Sequence, residues 1–498
     1  MPQHLTLLLE CPVVIALILI SGIGGTFQYG FCVCSMTSPS DFIKELVNKT
    51  CVQRYNVFLE QWQVSLIWSF AVSIFCIGGL FGSLVASQLV SKCGRKQCLL
   101  FNNIFAVTGG VLMFLSQRAM SFEMIMVARL LYGINAGVSF SVHTLYVTEC
   151  SPKKLRGMVS VTSSTFISIG KFSAQLLGIS EIFGTEDMWP WLLGFNCFTA
   201  LIQLLTLPLL PESPKHLLLD KGDRQACEKA LRRLWGHMDY SMEVEEMLQE
   251  KAALQNTRSH TVMELISNKS LRWQLITVIV TFTTLQFCGI SAVLFYLFEV
   301  FRAAGIREHQ LCYVAMGTGL CDLLTALACF MIVGRIGKKA LLFKGYMGMS
   351  TTLVLLIITL YLKDKVSWMP YCSMVLVFMY IICFSSGPGG TTVSLPGEIF
   401  TQSYKSAAFT IACMLNWIGM FLLGIIFPIL VDSLGYFCFI IFRFFCTTAG
   451  LFVRLYVPEM KNLTVLQIAE EFQKLHCRSA QKLNKQQQSR IKICQTKF

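Results

Sequence analysis

The feature that most constrains this chain is a run of roughly twenty mostly apolar residues, long enough as a helix to cross the hydrocarbon of a bilayer, that recurs about twelve times. The runs lie near 11–33, 63–90, 98–117, 122–147, 157–179, 190–210, 273–301, 309–333, 339–362, 369–396, 406–431 and 434–457. With 54% hydrophobic residues, 14% charged residues and a mean hydropathy of +0.60, the chain is too apolar for a soluble globular domain. The expected fold is therefore an all-α membrane protein with twelve transmembrane helices. The first run lacks the short apolar core and small-residue cleavage site of a removable signal peptide, so it counts as a span. Glycines inside several runs suit the close packing of membrane helices.

A formal charge of +13 across 498 residues would suit nucleic acid if it were clustered on one face, but it is distributed by loop. Lys92, Arg95 and Lys96, then Lys153, Lys154 and Arg156, then Arg335, Lys338 and Lys339 fall in alternate loops, joined by the segment 212–272 and the tail. Positive charge stays on the cytosolic side of a membrane, so both termini are expected inside and the basic balance reports topology and contact with anionic headgroups. The 21 cysteines sit mostly within the runs, without zinc-like CxxC pairs, as small apolar residues do. Cys51, in the first external loop (about 34–62), is the candidate for a disulfide. The same loop carries Asn48-Lys49-Thr50, a glycosylation sequon on the side where Asn48 can be modified; those at Asn268 and Asn462 fall inside and should stay bare.

The chain also repeats itself. SKCGRKQ (91–97) and GRIGKKA (334–340) are basic turns about 243 residues apart, and PESPK (211–215) is echoed by PEMK (458–461). Two pseudo-symmetric six-helix bundles joined by a cytosolic helical linker is the layout of a major facilitator transporter. The expected domains are a bundle over 1–211, an intracellular helical domain over 212–270, a second bundle over 271–457 and a cytosolic tail over 458–498.

FQYGF (27–31), VARLLYG (127–133), TECSPKKLRG (148–157), LQFCGISAVLFY (285–296), SSGPGG (385–390), GEIF (397–400) and LNW (415–417), with PESPK and PEMK, resemble the sugar porters, specifically the facilitative hexose transporters, in that family's order and spacing. The resemblance covers about residues 10–475. LIWS (66–69), LLFNNIF (99–105) and LRWQL (271–275) look like its class II, fructose-transporter branch, and GTGLCDLLTA (317–326) is most similar to that branch's eleventh member.

That resemblance implies a polyhydroxy solute held near the midplane between the halves, which rock to expose it on either side. Amides suit such a ligand, since each offers a donor and an acceptor. Gln286, Asn416 and Trp417 match the family's substrate-lining residues in spans seven and eleven. Leu285, Ser291, Ser164, Ser385 and Val393 stand where the family has Gln, Asn, Gln, Glu and Trp. The bland alternatives are a helix-to-helix hydrogen bond for Gln286 and packing for Trp417. The resemblance also assigns Arg95, Glu149, Arg156, Lys338, Glu398 and Lys405 to salt bridges that close the cytosolic gate, with Gly334 in place of an acid, and Gly387, Pro388 and Gly389 to a hinge in span ten. Proton-driven relatives carry an acid in span one where this chain has Cys32, which favours passive uniport, with Asp322 of span eight leaving a proton-linked mechanism as the alternative.

One charge breaks the pattern. In span five Ser164, Ser168, Lys171 and Gln175 are spaced 0, 4, 7 and 11, one narrow stripe at about 100° per residue. In span eight Thr318, Asp322 and Thr325 make another, with Asp322 where the family has a sugar-binding asparagine. A polar stripe in an apolar span faces a cavity or a helix rather than lipid. Lys171 is expected to pair with Asp322 across the cavity, to touch substrate, or to snorkel to the external surface.

No Walker-type loop is present, and no nucleophile or metal constellation, so neither ATP hydrolysis nor enzymatic activity is expected, and no cofactor. The expected function is uniport of a hexose such as fructose or glucose by a monomer in the plasma membrane. The alternatives are carriage of urate or dehydroascorbate, and a solute sensor or scaffold with little flux.

Overall fold

The structure is a computed structural model that describes residues 8–236, 240–255, 260–461, 463, 465 and 467–475; the tail beyond and the sequon at Asn462 lie outside the described residues. Among the described residues ten stretches are long and apolar enough to cross a membrane, and the last of them, Ser403–Tyr456, holds two helices, Gln402–Leu434 and Cys438–Tyr456. The helix Arg156–Leu177 does not meet that apolar criterion, because it carries the Ser and Lys stripe, yet it packs among the others as span five. Twelve crossings result.

Several spans are broken where the chain makes a straight helix untenable. Span ten stops at Ser386, turns through Gly387 and restarts at Pro388, as the sequence led one to expect. Span seven is also broken, which the sequence did not announce. Arg272–Phe287 and Ile290–Phe295 are separated by Gly289 at a φ of 95°, a conformation open to glycine at little strain. Freed backbone groups at such a break need partners in a membrane; Tyr380 donates to the Cys288 carbonyl at 2.6 Å.

The first external loop is helical over Ser40–Tyr55 and ends at Asn56 in the left-handed conformation, a common helix stop for Asn. Asn48 is exposed on it, whereas the Thr50 hydroxyl is buried and donates to the Met120 carbonyl at 3.1 Å. Cys51 is buried as a free thiol, not in a disulfide, and burial raises its pKa.

Between the two halves of the sequence, the helices Arg224–Trp235 and Ser241–Gln255 pack against the ends of the first six spans. The Trp235 indole donates to the Cys150 carbonyl at 3.0 Å, and Glu243 and Glu246 pair with Arg156 and Lys153.

Candidate functional site

The break in span seven builds the first polar group. Ser291, just past Gly289, donates to Gln286 Oε1 at 2.6 Å, and Gln286 Nε2 donates to Asn416 Oδ1 of span eleven at 2.7 Å. Gln286 is 4% exposed and Asn416 half-buried. The bond leaves the amide N–H₂ of Asn416 as a donor for a ligand. The alternative foreseen for Gln286, a helix-to-helix hydrogen bond, is thus present, and it includes the residue expected to share the ligand.

Trp417 is placed differently. It is 2% exposed, donates its indole N–H to Ser83 of span two at 2.9 Å, and meets Tyr29 and Phe75 edge-on. In this conformation it is a contact between the halves rather than an accessible wall of a binding site, because its polar handle and its ring edges are already occupied.

Asp322 is the centre of the second group. Its Oδ2 accepts from Lys171 Nζ at 3.2 Å and from Ser168 at 3.1 Å, and its Oδ1 accepts from Ser385 of span ten. The side chains of Lys171 and Asp322 are 14% and 9% exposed. An unpaired charge at such burial would be costly, and three donors satisfy both carboxylate oxygens. Toward the outer end Gln175 donates to Thr318 at 3.2 Å. Ser164, further toward the cytosol, is exposed, and Thr325 bonds back to the Cys321 carbonyl of its own helix. Sequence reasoning noted Ser385 only as a departure from the family; its position just before the span-ten break is the signal that it faces inward.

The halves are pressed together above this centre. Thr37 donates to the Leu294 carbonyl at 3.4 Å, and Tyr313 donates to Glu181. Between them is a narrow cleft of about 10 Å³ lined by Cys34, Thr37, Ser38, Gln175, Phe298 and Cys312, among others. Beside Gln175, Gly319 of span eight touches span five so closely that a Cβ there would lie 2.1 Å from Gln175 Oε1 and 2.9 Å from the Phe172 backbone. Gly319→Ala is therefore expected to oppose external closure, and impermeant thiol labelling of Cys312 from outside should rise about tenfold, the equivalent of about 1.4 kcal/mol of overpacking.

Of the six residues expected at the gate, Arg95 and Glu149 share one cluster, Lys338 pairs with Glu398, and Arg156 joins neither. Arg95 binds Glu149 at 2.8 Å and Asp220 at 2.7 Å, with His216 Nδ1 at 3.0 Å, and Ser213 donates to Glu149 at 2.5 Å. Arg156 is not part of that group; it reaches Glu243 of the helix Ser241–Gln255, since its place at the start of span five points it there. Lys338 binds Glu398 and Ser394, and Lys405 lies against Gly397. Asp220, His216 and Ser213 were missed, although PESPK, read only as a repeat marker, ends beside His216. Glu212 of that motif accepts from the backbone N–H groups of Arg95 and Lys96 at 3.1 and 3.0 Å, where an acid suits a helix start.

At Cys32, Arg129 donates to the residue's carbonyl at 2.8 Å and to that of Val72 at 3.0 Å, 1% exposed and 4.6 Å over the Phe75 ring. Asn196 donates to the Cys32 sulfur at 2.8 Å. The side-chain partner of the cation is thus an aromatic face.

Two helical bundles that meet through buried polar residues, with broken helices beside them, define a solute carrier of the major facilitator fold. The sequence matches the family described as Sugar (and other) transporter over residues 17–472, and the chain belongs to that family. Solute carrier family 2, facilitated glucose transporter member 5 of Ovis aries is 38% identical over 93% of both chains. Member 9 of Homo sapiens is 39% identical over 91% of this chain and 84% of its own, and member 11 of Homo sapiens is 38% identical over 94% and 95%. Among solved structures, the xylose transporter XylE from E. coli in a partially occluded inward open conformation superposes with a TM-score of 0.75, at 20% identity, over 91% of this chain and 100% of that one.

Proposed function

We propose that this protein carries a hexose such as fructose or glucose down its gradient by alternating access, as a monomer in the plasma membrane with both termini cytosolic. The observation that carries this reading is the Gln286–Asn416–Ser291 group at the break in span seven, which gathers hydroxyl and amide donors and acceptors suited to a polyhydroxy solute. Membership of the sugar transporter family and the facilitated glucose transporters among its relatives support it. Uniport is supported by Cys32, since the span-one position where proton-driven relatives hold an acid carries no carboxylate to take up and release a proton.

The test is uptake into vesicles reconstituted with the pure protein, using labelled glucose, fructose, urate and dehydroascorbate with and without a pH gradient. Saturable hexose flux that ignores the gradient is expected. Flux driven by protons would overturn uniport, and absence of any flux would favour a solute sensor. In the same assay Gln286→Ala should raise the half-saturating hexose concentration about tenfold, roughly the loss of one buried hydrogen bond.

A further inference from the structure

The external helix Ser40–Tyr55 is fastened at one end and free to clasp at the other. Its C-terminal end is tied to the first half: Thr50 donates to Met120, Arg54 donates to the Ala119 carbonyl at 3.1 Å, and Tyr55 donates to Glu123 at 2.6 Å. Its N-terminal end reaches the second half. Lys44 binds Glu299 at 2.9 Å, and Asp41 binds Arg302 at 2.9 Å. Glu299 and Arg302 lie on the short helix Leu297–Ala303 that continues span seven.

The register of these pairs is specific. Asp41 and Lys44 are three residues apart, as are Glu299 and Arg302, so each pair shares a helix face. The charges match only in antiparallel order: acid to base on one rung and base to acid on the other. Arg302 is also held by Glu308 through Nε and Nη2 at 2.7 and 2.9 Å, which fixes its fork before Asp41 arrives. Lys44 lies 5.5 Å above the Trp68 ring. One exposed pair contributes little, but two rungs on preset side chains act together.

We infer that Asp41, Lys44, Glu299 and Arg302 form an external clasp that holds the two halves closed on the outer side and must open in each transport cycle. These are positioning residues: they lie outside the Gln286 and Asp322 groups and set how long the outer mouth stays shut. The inference rests on the alternating-access reading, but it is tested without any solute, so failure to carry hexoses and failure of the clasp are distinguishable.

The readout is the labelling rate of Cys312, in the cleft beneath the clasp, by a membrane-impermeant thiol reagent added outside intact cells and followed at that residue by mass spectrometry. Lys44→Glu should speed labelling about three- to tenfold, in line with loss and reversal of a partly exposed pair. Adding Glu299→Lys to it should return the rate to within about twofold of the native protein. Asp41→Asn should act in the same direction more weakly. In the native protein, raising the ionic strength from about 0.05 to 0.5 M should speed labelling, since salt screens exposed pairs. Unchanged labelling in Lys44→Glu, absence of rescue by the swap, or insensitivity to salt would each overturn the clasp.

Discussion

Asp322→Asn is expected to drive the carrier out of the externally closed state by about a hundredfold, seen as rapid external labelling of Cys312 and a fall in hexose uptake of similar size. The change removes the charge that Lys171 faces at 3.2 Å while leaving a side chain of nearly the same shape. Stranding one member of a buried pair costs about 3–5 kcal/mol; the lower end applies because Lys171 keeps 14% exposure. Lys171 sits on the first half and Asp322 on the second, so the two part as the outer side opens and the ammonium regains water. The penalty therefore falls on the closed state alone, and about 3 kcal/mol of bias is roughly a hundredfold in population.

The second variant separates charge from shape. Lys171→Met with Asp322→Asn leaves no ion to desolvate, and the amide still serves both serines, its oxygen accepting from Ser385 and its N–H₂ donating to the Ser168 hydroxyl. Replacing a buried ion pair by neutral groups is often nearly neutral overall, so the double variant should label within about tenfold of the native protein, and Lys171→Met alone should fall between. If each single variant leaves labelling and uptake as they were, the pair has no part in gating.

The twelve spans, the break at Gly387 and the Lys171 and Asp322 stripes were legible in the sequence because they rest on local rules: run length, a helix breaker, and helical periodicity in an apolar background. The pairing itself needed the family's arrangement of spans five and eight. What remained hidden depends on which surfaces meet. Nothing local marks Ser385 as the third donor to Asp322, or sends Arg156 to Glu243 rather than Glu149. The break at Gly289 was obscured because a glycine in an apolar run reads equally as a packing residue. Trp417 was assigned by its motif neighbour Asn416, yet adjacent helical residues point about 100° apart, so one faces the amide group and the other Ser83. The external helix was taken for a loop because its polar face and short length resemble one, and its apolar residues Ile43, Leu46 and Val47 are buried only by tertiary packing.

Gly170→Ala should abolish transport and most of the folded protein, although it adds a single methyl group beside the stripe. Spans one and five cross in contact: a Cβ on Gly170 would lie 2.2 Å from the Phe27 carbonyl oxygen and 2.8 Å from the Phe31 amide, and one on Gly30 would lie 2.0 Å from the Ile167 carbonyl oxygen. These neighbours are backbone, so no side chain can turn away, and the helices must part along the crossing. Overpacking of this kind costs about 1–3 kcal/mol, occasionally more, and membrane helices depend on close backbone approach because lipid supplies no hydrophobic drive between them. The same crossing orients span five. With Gly170 pressed on span one, Ser168, Lys171 and Gln175 are turned to span eight, so a shift that relieves the clash also pulls Lys171 from Asp322. Gly317→Ala is the matched control in span eight: its Cβ would meet only the Phe378 ring, at 3.0 Å and beyond, and a ring can move. Detergent-extracted Gly170→Ala should lose its monodisperse peak or melt at least several degrees lower, whereas Gly317→Ala should stay close to native. Equal behaviour of the two would mean that the crossing does not set the register of span five, and the placement of Lys171 would then need another cause.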